Sequence, residues 1–200
     1  MKERILVTGG TGYIGSHTVV ELQNSGYDVV IVDNLSNSSA DVVDNIEKVS
    51  GIRPAFEKLD CLDLEGMDKL FTKYPGIKGI IHFAASKAVG ESVQKPLLYY
   101  RNNLVSLINL LELMPKHGVE GIIFSSSCTV YGQPDVLPVT EEAPIKKAES
   151  PYGNTKQINE EIIRDTVASG SPINAIMLRY FNPIGAHPTA LIGELPNGVP

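Results

Sequence analysis

Short apolar runs alternate along the chain with longer segments in which apolar residues recur at helical spacing. The runs at 5–7, 28–33, 79–84, 121–125 and 173–180 are rich in Ile and Val and nearly continuous in hydrophobicity, as expected of strands buried on both faces of a parallel sheet. A weaker strand is expected at 55–59, limited on its N-terminal side by Pro54. Helices are predicted over 14–24, 41–49, 63–73, 96–114 and 151–168. In the fourth of these Pro96 suits a first helical turn, and Leu104, Leu107, Ile108 and Leu111 recur at i, i+3, i+4 and i+7, which predicts that they form its buried face. Strands alternating with helices, joined by right-handed crossovers, predict an α/β fold: a doubly wound parallel sheet of Rossmann type with helices on both faces. After Tyr180 the pattern dissolves into a Gly/Pro-rich stretch, and the chain is expected to continue past Pro200.

Composition narrows the function. With 200 residues, 42% hydrophobic and 20% charged, the chain carries enough apolar surface for one full core, which excludes disorder and a disulfide miniprotein. The 17 Lys and Arg against 23 Asp and Glu give a net charge of −6, and no dense basic run is present to neutralise a phosphate backbone, so nucleic acid is disfavoured as a partner. The N-terminal apolar run turns polar and Gly-rich at Thr8, too soon for a secretory signal, and no run is long enough to cross a bilayer, so a soluble, cytoplasmic protein with no membrane partner is expected. Cys61 and Cys128 match no metal or redox spacing and read as reduced packing thiols. The four histidines form no metal cluster, and no metal is expected.

The first turn carries candidate chemistry. Gly9-Gly10-Thr11-Gly12-Tyr13-Ile14-Gly15 reads as G-x-x-G-x-x-G from Gly9 or as G-x-G-x-x-G from Gly10. It follows a strand, opens a helix, and precedes Asp33 at the end of the second strand. That is the arrangement in which backbone N–H groups and a helix N-terminus receive a pyrophosphate while a carboxylate takes the ribose hydroxyls. Asp33 would repel a 2′-phosphate, and no Lys or Arg lies between it and Glu47, so NAD is favoured over NADP. Asp60, at the end of the third strand, either meets the adenine amino group or caps the following helix.

A second set lies toward the C-terminal half. Tyr152 and Lys156 are four apart at the start of the last helix and share a face. A tyrosine ordinarily titrates near pH 10, so a neighbouring ammonium and a nicotinamide cation are what would make it a proton acceptor at neutral pH. Ser125-Ser126-Ser127 ends a strand at the same edge, where Ser127 can share a proton with Tyr152. Lys87, Asn102 and Asn103 are placed near that edge as well.

Several strings then carry a resemblance. Thr8 to His17, Asp33-Asn34-Leu35, His82-Phe83-Ala84, Lys87 to Val93, Ser125-Ser126-Ser127 with Val130-Tyr131-Gly132, Ser150 to Gly153 with Lys156, and Arg179 to Pro188 resemble the extended short-chain dehydrogenase/reductases and, within them, the UDP-glucose 4-epimerases. The resemblance implies that Tyr152 is the general base, Lys156 lowers its pKa and binds the nicotinamide ribose, and Ser127 shuttles the proton. It places Gly9, Gly12, Tyr13, Ile14, Asp33, Asn34, Asp60, Cys61, Phe83, Ala84, Lys87 and Asn102 against NAD, and Phe181 and Asn182 on the nicotinamide and nucleotide-sugar side. The implied reaction interconverts UDP-galactose and UDP-glucose through a 4-keto sugar with tightly bound NAD, in galactose metabolism. The implied domains are an NAD-binding unit at 1–180 and the start of a substrate-binding unit at 181–200, and a homodimer through the helices at 96–114 and 151–168 is expected. Cys128-Thr129 stand where a related dehydratase needs an acidic residue, which disfavours elimination. A related decarboxylase and a catalytically silent NAD-binding module are the remaining alternatives. Ala85, Ser86, Asn154 and Thr155 depart from the usual family pattern, away from the implied proton path.

Overall fold

A computed structural model describes residues 2–194. The elements run β1 (Arg4–Thr8), α1 (Tyr13–Asn24), β2 (Asp28–Asp33), α2 (Asp41–Ser50), β3 (Ala55–Lys58), α3 (Leu64–Lys73), β4 (Ile77–His82), α4 (Val89–Gln94), α5 (Pro96–Lys116), β5 (Gly121–Ser127), a 3₁₀ turn (Cys128–Tyr131), α6 (Pro151–Ala168) and β6 (Asn174–Tyr180). All six strands are parallel in the order β3-β2-β1-β4-β5-β6, so the winding reverses between β1 and β4. In an open α/β sheet the crevice at that reversal, outside the carboxyl ends of the strands, is where ligands bind. The residues that close those ends are Thr8, Asp33, His82, Ser127 and Tyr180, and they frame everything that follows.

Both faces of the sheet are covered. One core joins Leu6, Val30, Ile80, Ile122 and Phe124 to Met67, Leu70, Leu107, Leu110, Met114 and Ile163 from α3, α5 and α6. The other joins Val7, Val29 and Ile31 to Val19 and Val20 of α1 and Ile46 of α2. The helix boundaries follow local chemistry. Asp63 accepts the Gly66 amide at 2.9 Å and starts α3, and Ser150 accepts the Gly153 amide at 3.1 Å ahead of Pro151 and starts α6.

Three expectations are corrected. The fourth strand spans Ile77–His82 rather than 79–84, because Phe83 and Ala84 leave the sheet to line the loop beside Gly9. A six-residue helix, α4, lies in a stretch too short to show a helical period. The buried face of α5 is also wider than the predicted one, which it contains in Leu107 and Leu111. Ile108 is exposed, while Tyr99, Asn103, Ser106, Leu107, Leu110, Leu113 and Met114 point inward. Polar groups with satisfied hydrogen bonds can occupy core positions, as Asn109 does by donating to Cys61 O at 2.9 Å. Hydrophobicity alone therefore missed the polar part of the inward face and wrongly included Ile108. Residues 132–150 return irregularly from the 3₁₀ turn to α6, with no helix or strand among them.

Candidate cofactor and catalytic site

The glycine turn is the most constrained part of the crevice. Gly9 has φ of +69°, and a Cβ there would lie 2.8 Å from the Ala84 amide nitrogen. A Cβ on Gly15 would penetrate the Gly9 carbonyl oxygen and lie 2.8 Å from Gly10 Cα. A Cβ on Gly10 would lie 2.8 Å from Ile31 Cγ2, so the first glycine of either reading is held by close packing. Gly12 is the N-cap of α1, contributes no side chain to it, and no acidic residue sits in the first turn. The N–H groups there are the donors that an anionic group accepts, and the helix dipole has the favourable sign.

Asp33 closes the far side of that turn. Its carboxylate accepts from the Thr11 amide at 3.3 Å, the Leu35 amide at 2.9 Å and Ser38 Oγ at 3.2 Å, which ties the β1–α1 turn to the β2–α2 loop. Asn34 donates to Asp60 Oδ2 at 2.9 Å, and the other Asp60 oxygen accepts the Leu62 amide. The helix cap is therefore Asp63, and Asp60 belongs to the crevice edge with Asp33 and Asn34. Cys61 next to it is buried in the core, and burial pushes its thiol up to about 12, so it is an unreactive packing group.

Tyr152, Ser127 and Lys156 come together at the ends of α6 and β5. Ser127 Oγ accepts from the Thr129 amide at 3.2 Å and from Thr129 Oγ1 at 2.9 Å. With both lone pairs occupied, its own proton is free to be donated, and Ser127 lies close enough to Tyr152 to favour the phenolate. Burial raises the pKa of Tyr152, the hydrogen bond from Ser127 opposes that, and Cys128 adds to the rise. The sequence led us to expect a lowered value. In the chain alone the desolvation of a phenolate outweighs its one donor.

Lys156 is buried, donates from Nζ to Ser125 O at 2.7 Å, and lies 4.8 Å from the centre of the Phe124 ring and 5.8 Å from that of Tyr152. Desolvation lowers its pKa to about 8. Behind it, His82 is buried with Nδ1 2.7 Å from Thr8 Oγ1. Burial, and then the nearby Lys156, lower its pKa to about 3, so it is neutral.

The loop after β4 is bolted to α5 and, through it, to α6. Asn103 accepts the Ser86 amide at 2.8 Å and donates to Ser86 O at 3.0 Å and to Thr155 Oγ1 at 3.1 Å, and Asn102 donates to Ser86 Oγ at 3.1 Å. The segment after β6 crosses the same edge. Phe181 and Asn182 are exposed there, Gly185 O accepts Tyr13 OH at 2.6 Å, Ile192 is buried in the core beside α1, and Glu194 pairs with Lys87 at 2.7 Å. Two expected cofactor contacts, Tyr13 and Lys87, are thus engaged by residues 181–194, while Gly15 packs against the turn and Ile14 is half-buried in the first turn of α1. Residues 195–200, the rest of the expected second unit, lie outside the described residues.

Residues 5–197 match the NAD dependent epimerase/dehydratase family. The chain belongs to this family. It is 53% identical over 196 residues to the UDP-glucose 4-epimerase of Bacillus subtilis, covering 98% of this chain and 57% of the relative. Two solved family structures superpose with TM-scores of 0.95 at 48% identity. One is the UDP-glucose-4-epimerase of Stenotrophomonas maltophila with bound NAD and formylated UDP-arabinopyranose, covering 99% of this chain and 58% of that one. The other is the enzyme of Bifidobacterium longum in complex with NAD+ and UDP, covering 98% and 58%. The chain therefore spans a little under three fifths of the length of the relatives it matches.

Sequence reasoning missed several members of this assembly: Thr129, which orients Ser127, His82 with Thr8, and Glu160. Glu160 had a signal, since it continues the i, i+4, i+8 stripe of Tyr152 and Lys156. Among the described residues no three His, Cys, Asp or Glu side chains group to hold a metal ion, and no helix is long and apolar enough to cross a membrane.

Proposed function

We propose that the complete protein is a UDP-glucose 4-epimerase, a cytoplasmic enzyme that interconverts UDP-galactose and UDP-glucose in galactose metabolism with tightly bound NAD. The observation that carries this reading is the meeting of Tyr152, Ser127 and Lys156 at the carboxyl edge of the strands that flank the glycine turn. Family membership gives the chemistry its class, and the named relatives give it a substrate class.

NAD fits the residues present. A Cβ at Gly9 or Gly15 would strike the backbone of the turn and its neighbouring loop, so glycines keep the turn tight, the α1 N-terminus suits a pyrophosphate, and Asp33 suits a ribose with free hydroxyls. Asn34, Asp60 and Cys61 line the adenine end, and Phe83, Ala84, Lys87 and Asn102 the middle. Lys156 and Phe181 stand at the nicotinamide end. Lys87 exchanges Glu194 for a phosphate oxygen in this reading. When bound, the cofactor accepts the C4 hydride of the sugar and returns it.

Tyr152 takes the C4 hydroxyl proton, directly or through Ser127, and gives it back after the 4-keto sugar has presented its other face. The net reaction inverts C4 and consumes nothing. The burial that keeps Tyr152 protonated in the chain alone is offset on binding by the cation of the nicotinamide and by Lys156. With its pKa near 8, Lys156 is still largely ammonium at neutral pH. Ser127 and Asn182 contact the sugar nucleotide. Cys128 and Thr129 supply no acid for elimination, which favours epimerisation over dehydration.

In the same reading residues 1–180 are the NAD-binding domain, and those from 181 onward lead into the substrate-binding domain. The exposed Leu97, Leu98, Val105 and Ile108 of α5 support a homodimer through α5 and α6. Incubation of the complete protein with UDP-galactose, with coupled detection of UDP-glucose, tests the proposal. Product at a rate dependent on Tyr152 is expected, and well-folded, NAD-loaded protein that makes none would overturn it.

A further inference from the structure

A buried carboxylate held by two arginines lies one turn beyond Lys156. Glu160 on α6 is 1% exposed, and each of its oxygens takes two charge-assisted or hydroxyl hydrogen bonds. Oε1 accepts from Ser126 Oγ at 2.6 Å and from Arg179 Nε at 2.9 Å. Oε2 accepts from Arg179 Nη2 at 2.8 Å and from Arg164 Nη2 at 2.7 Å. Burial works to raise its pKa, but Arg179 and Ser126 outweigh that and hold the carboxyl below the ordinary range. The Arg179 guanidinium also lies 4.8 Å from the centre of the Tyr131 ring, at the end of the 3₁₀ turn that follows Ser127.

Three pieces of backbone thus converge on one carboxylate, the end of β5, the end of β6 and α6 itself, and the 3₁₀ turn joins them through Tyr131 against Arg179. Ser126 sits between the two residues that serve the reaction. The carbonyl of Ser125 holds Lys156 and the hydroxyl of Ser127 meets Tyr152. Tyr152 and Lys156 are borne by the same helix as Glu160. A shift of α6 along β5 would lengthen both contacts together, and Glu160 is the group that resists that shift.

We propose that Glu160 is a positioning residue for proton transfer: by locking α6 to the ends of β5 and β6 it sets the placement of Tyr152 and Lys156 on α6 against Ser125 and Ser127 at the end of β5. This rests on the reading of Tyr152 as the proton acceptor but not on the identity of the sugar. A hydrogen bond that favours a phenolate is worth about a tenfold change in its protonation equilibrium, so loosening it should raise the Tyr152 pKa by about one.

The test uses the complete, NAD-loaded protein. Spectrophotometric titration of the phenol, taken as the difference between each protein and its Tyr152→Phe counterpart, reads the Tyr152 pKa in the wild type, in Glu160→Gln and in Ser126→Ala. The groups facing Tyr152 are Ser127, Cys128, Lys156 and Tyr99, and none is altered. A pKa raised by about one in Glu160→Gln, and by a smaller amount in Ser126→Ala, supports the proposal. An unmoved pKa in folded Glu160→Gln overturns it, even if stability falls, because a merely structural carboxylate would lower stability and leave that titration alone. If Glu160→Gln does not fold, Ser126→Ala decides by the same criterion. A UDP-galactose assay on the wild-type sample reads the function separately: a shifted pKa without turnover would sink the epimerase reading and leave the positioning role standing.

Discussion

Replacing Lys156 by methionine should make the cofactor-free protein more stable while destroying its chemistry. The side chain is buried, and desolvation takes its pKa from the ordinary 10.5 to about 8. Above both values the amine is neutral in the folded and the unfolded chain, and no penalty applies. As pH falls from 10.5 through 8 the unfolded chain takes up the proton first, so stability is lost across that window, and below it the folded state carries the full cost of a buried ammonium. At about 1.4 kcal/mol per tenfold change in the equilibrium, that cost is about 3 kcal/mol near pH 7. Methionine has a similar length and no charge. It forfeits the 2.7 Å hydrogen bond to Ser125 O and the contact of Nζ with the Phe124 ring, which together return about 1 kcal/mol. The net expectation is a gain of about 2 kcal/mol near neutral pH, seen as a rise of several degrees in Tm by circular dichroism of the NAD-free protein. The gain should shrink toward zero as the pH approaches 10. A variant no more stable than the wild type near pH 7, or a gain that does not depend on pH, would refute the claim that this lysine is held charged against a desolvation penalty.

Two further outcomes follow from the geometry. Tyr152→Phe removes one hydroxyl from a half-buried ring, so it should keep its NAD, measured by release on denaturation, and lose at least a hundredfold in turnover; near-full activity would remove Tyr152 from its role. Gly15→Ala forces backbone to move at Gly9 and Gly10, which should cost about 1–3 kcal/mol in stability and weaken NAD binding at least tenfold, measured by thermal unfolding and by titration with the nucleotide.

Most of this architecture is legible in the residues because parallel strands buried on both faces are continuous apolar runs. The strand at 28–33 and the helix at 151–168 appear at the predicted bounds, and the others differ by a few residues at their ends. The glycine turn was legible for another reason: its residues are required by close backbone approach, which leaves a local mark. What could not be read were partnerships across distant elements. The inward face of α5 depends on where Asn103 and Asn109 find partners, in Ser86 and Thr155 and in the carbonyl of Cys61, and no local pattern reveals that. The sign of the Tyr152 shift depends on how deeply the ring is buried, which spacing along a helix does not contain.

The side-chain amide of Asn103 has consequences for how such a chain can change over evolutionary time. It accepts from Ser86 and donates to both Ser86 and Thr155, so its oxygen and nitrogen cannot be interchanged, and one inserted or deleted residue between Phe83 and Lys87 would break both bonds to Ser86 at once. The irregular stretch at 132–150 contains no strand or helix, and it is tied to α6 by the bond that Gln157 donates to Lys146 O. Length variation among descendants of this chain is therefore expected to accumulate in 132–150 around that tie and to be purged from 83–87, so that the loop beside the glycine turn keeps its register.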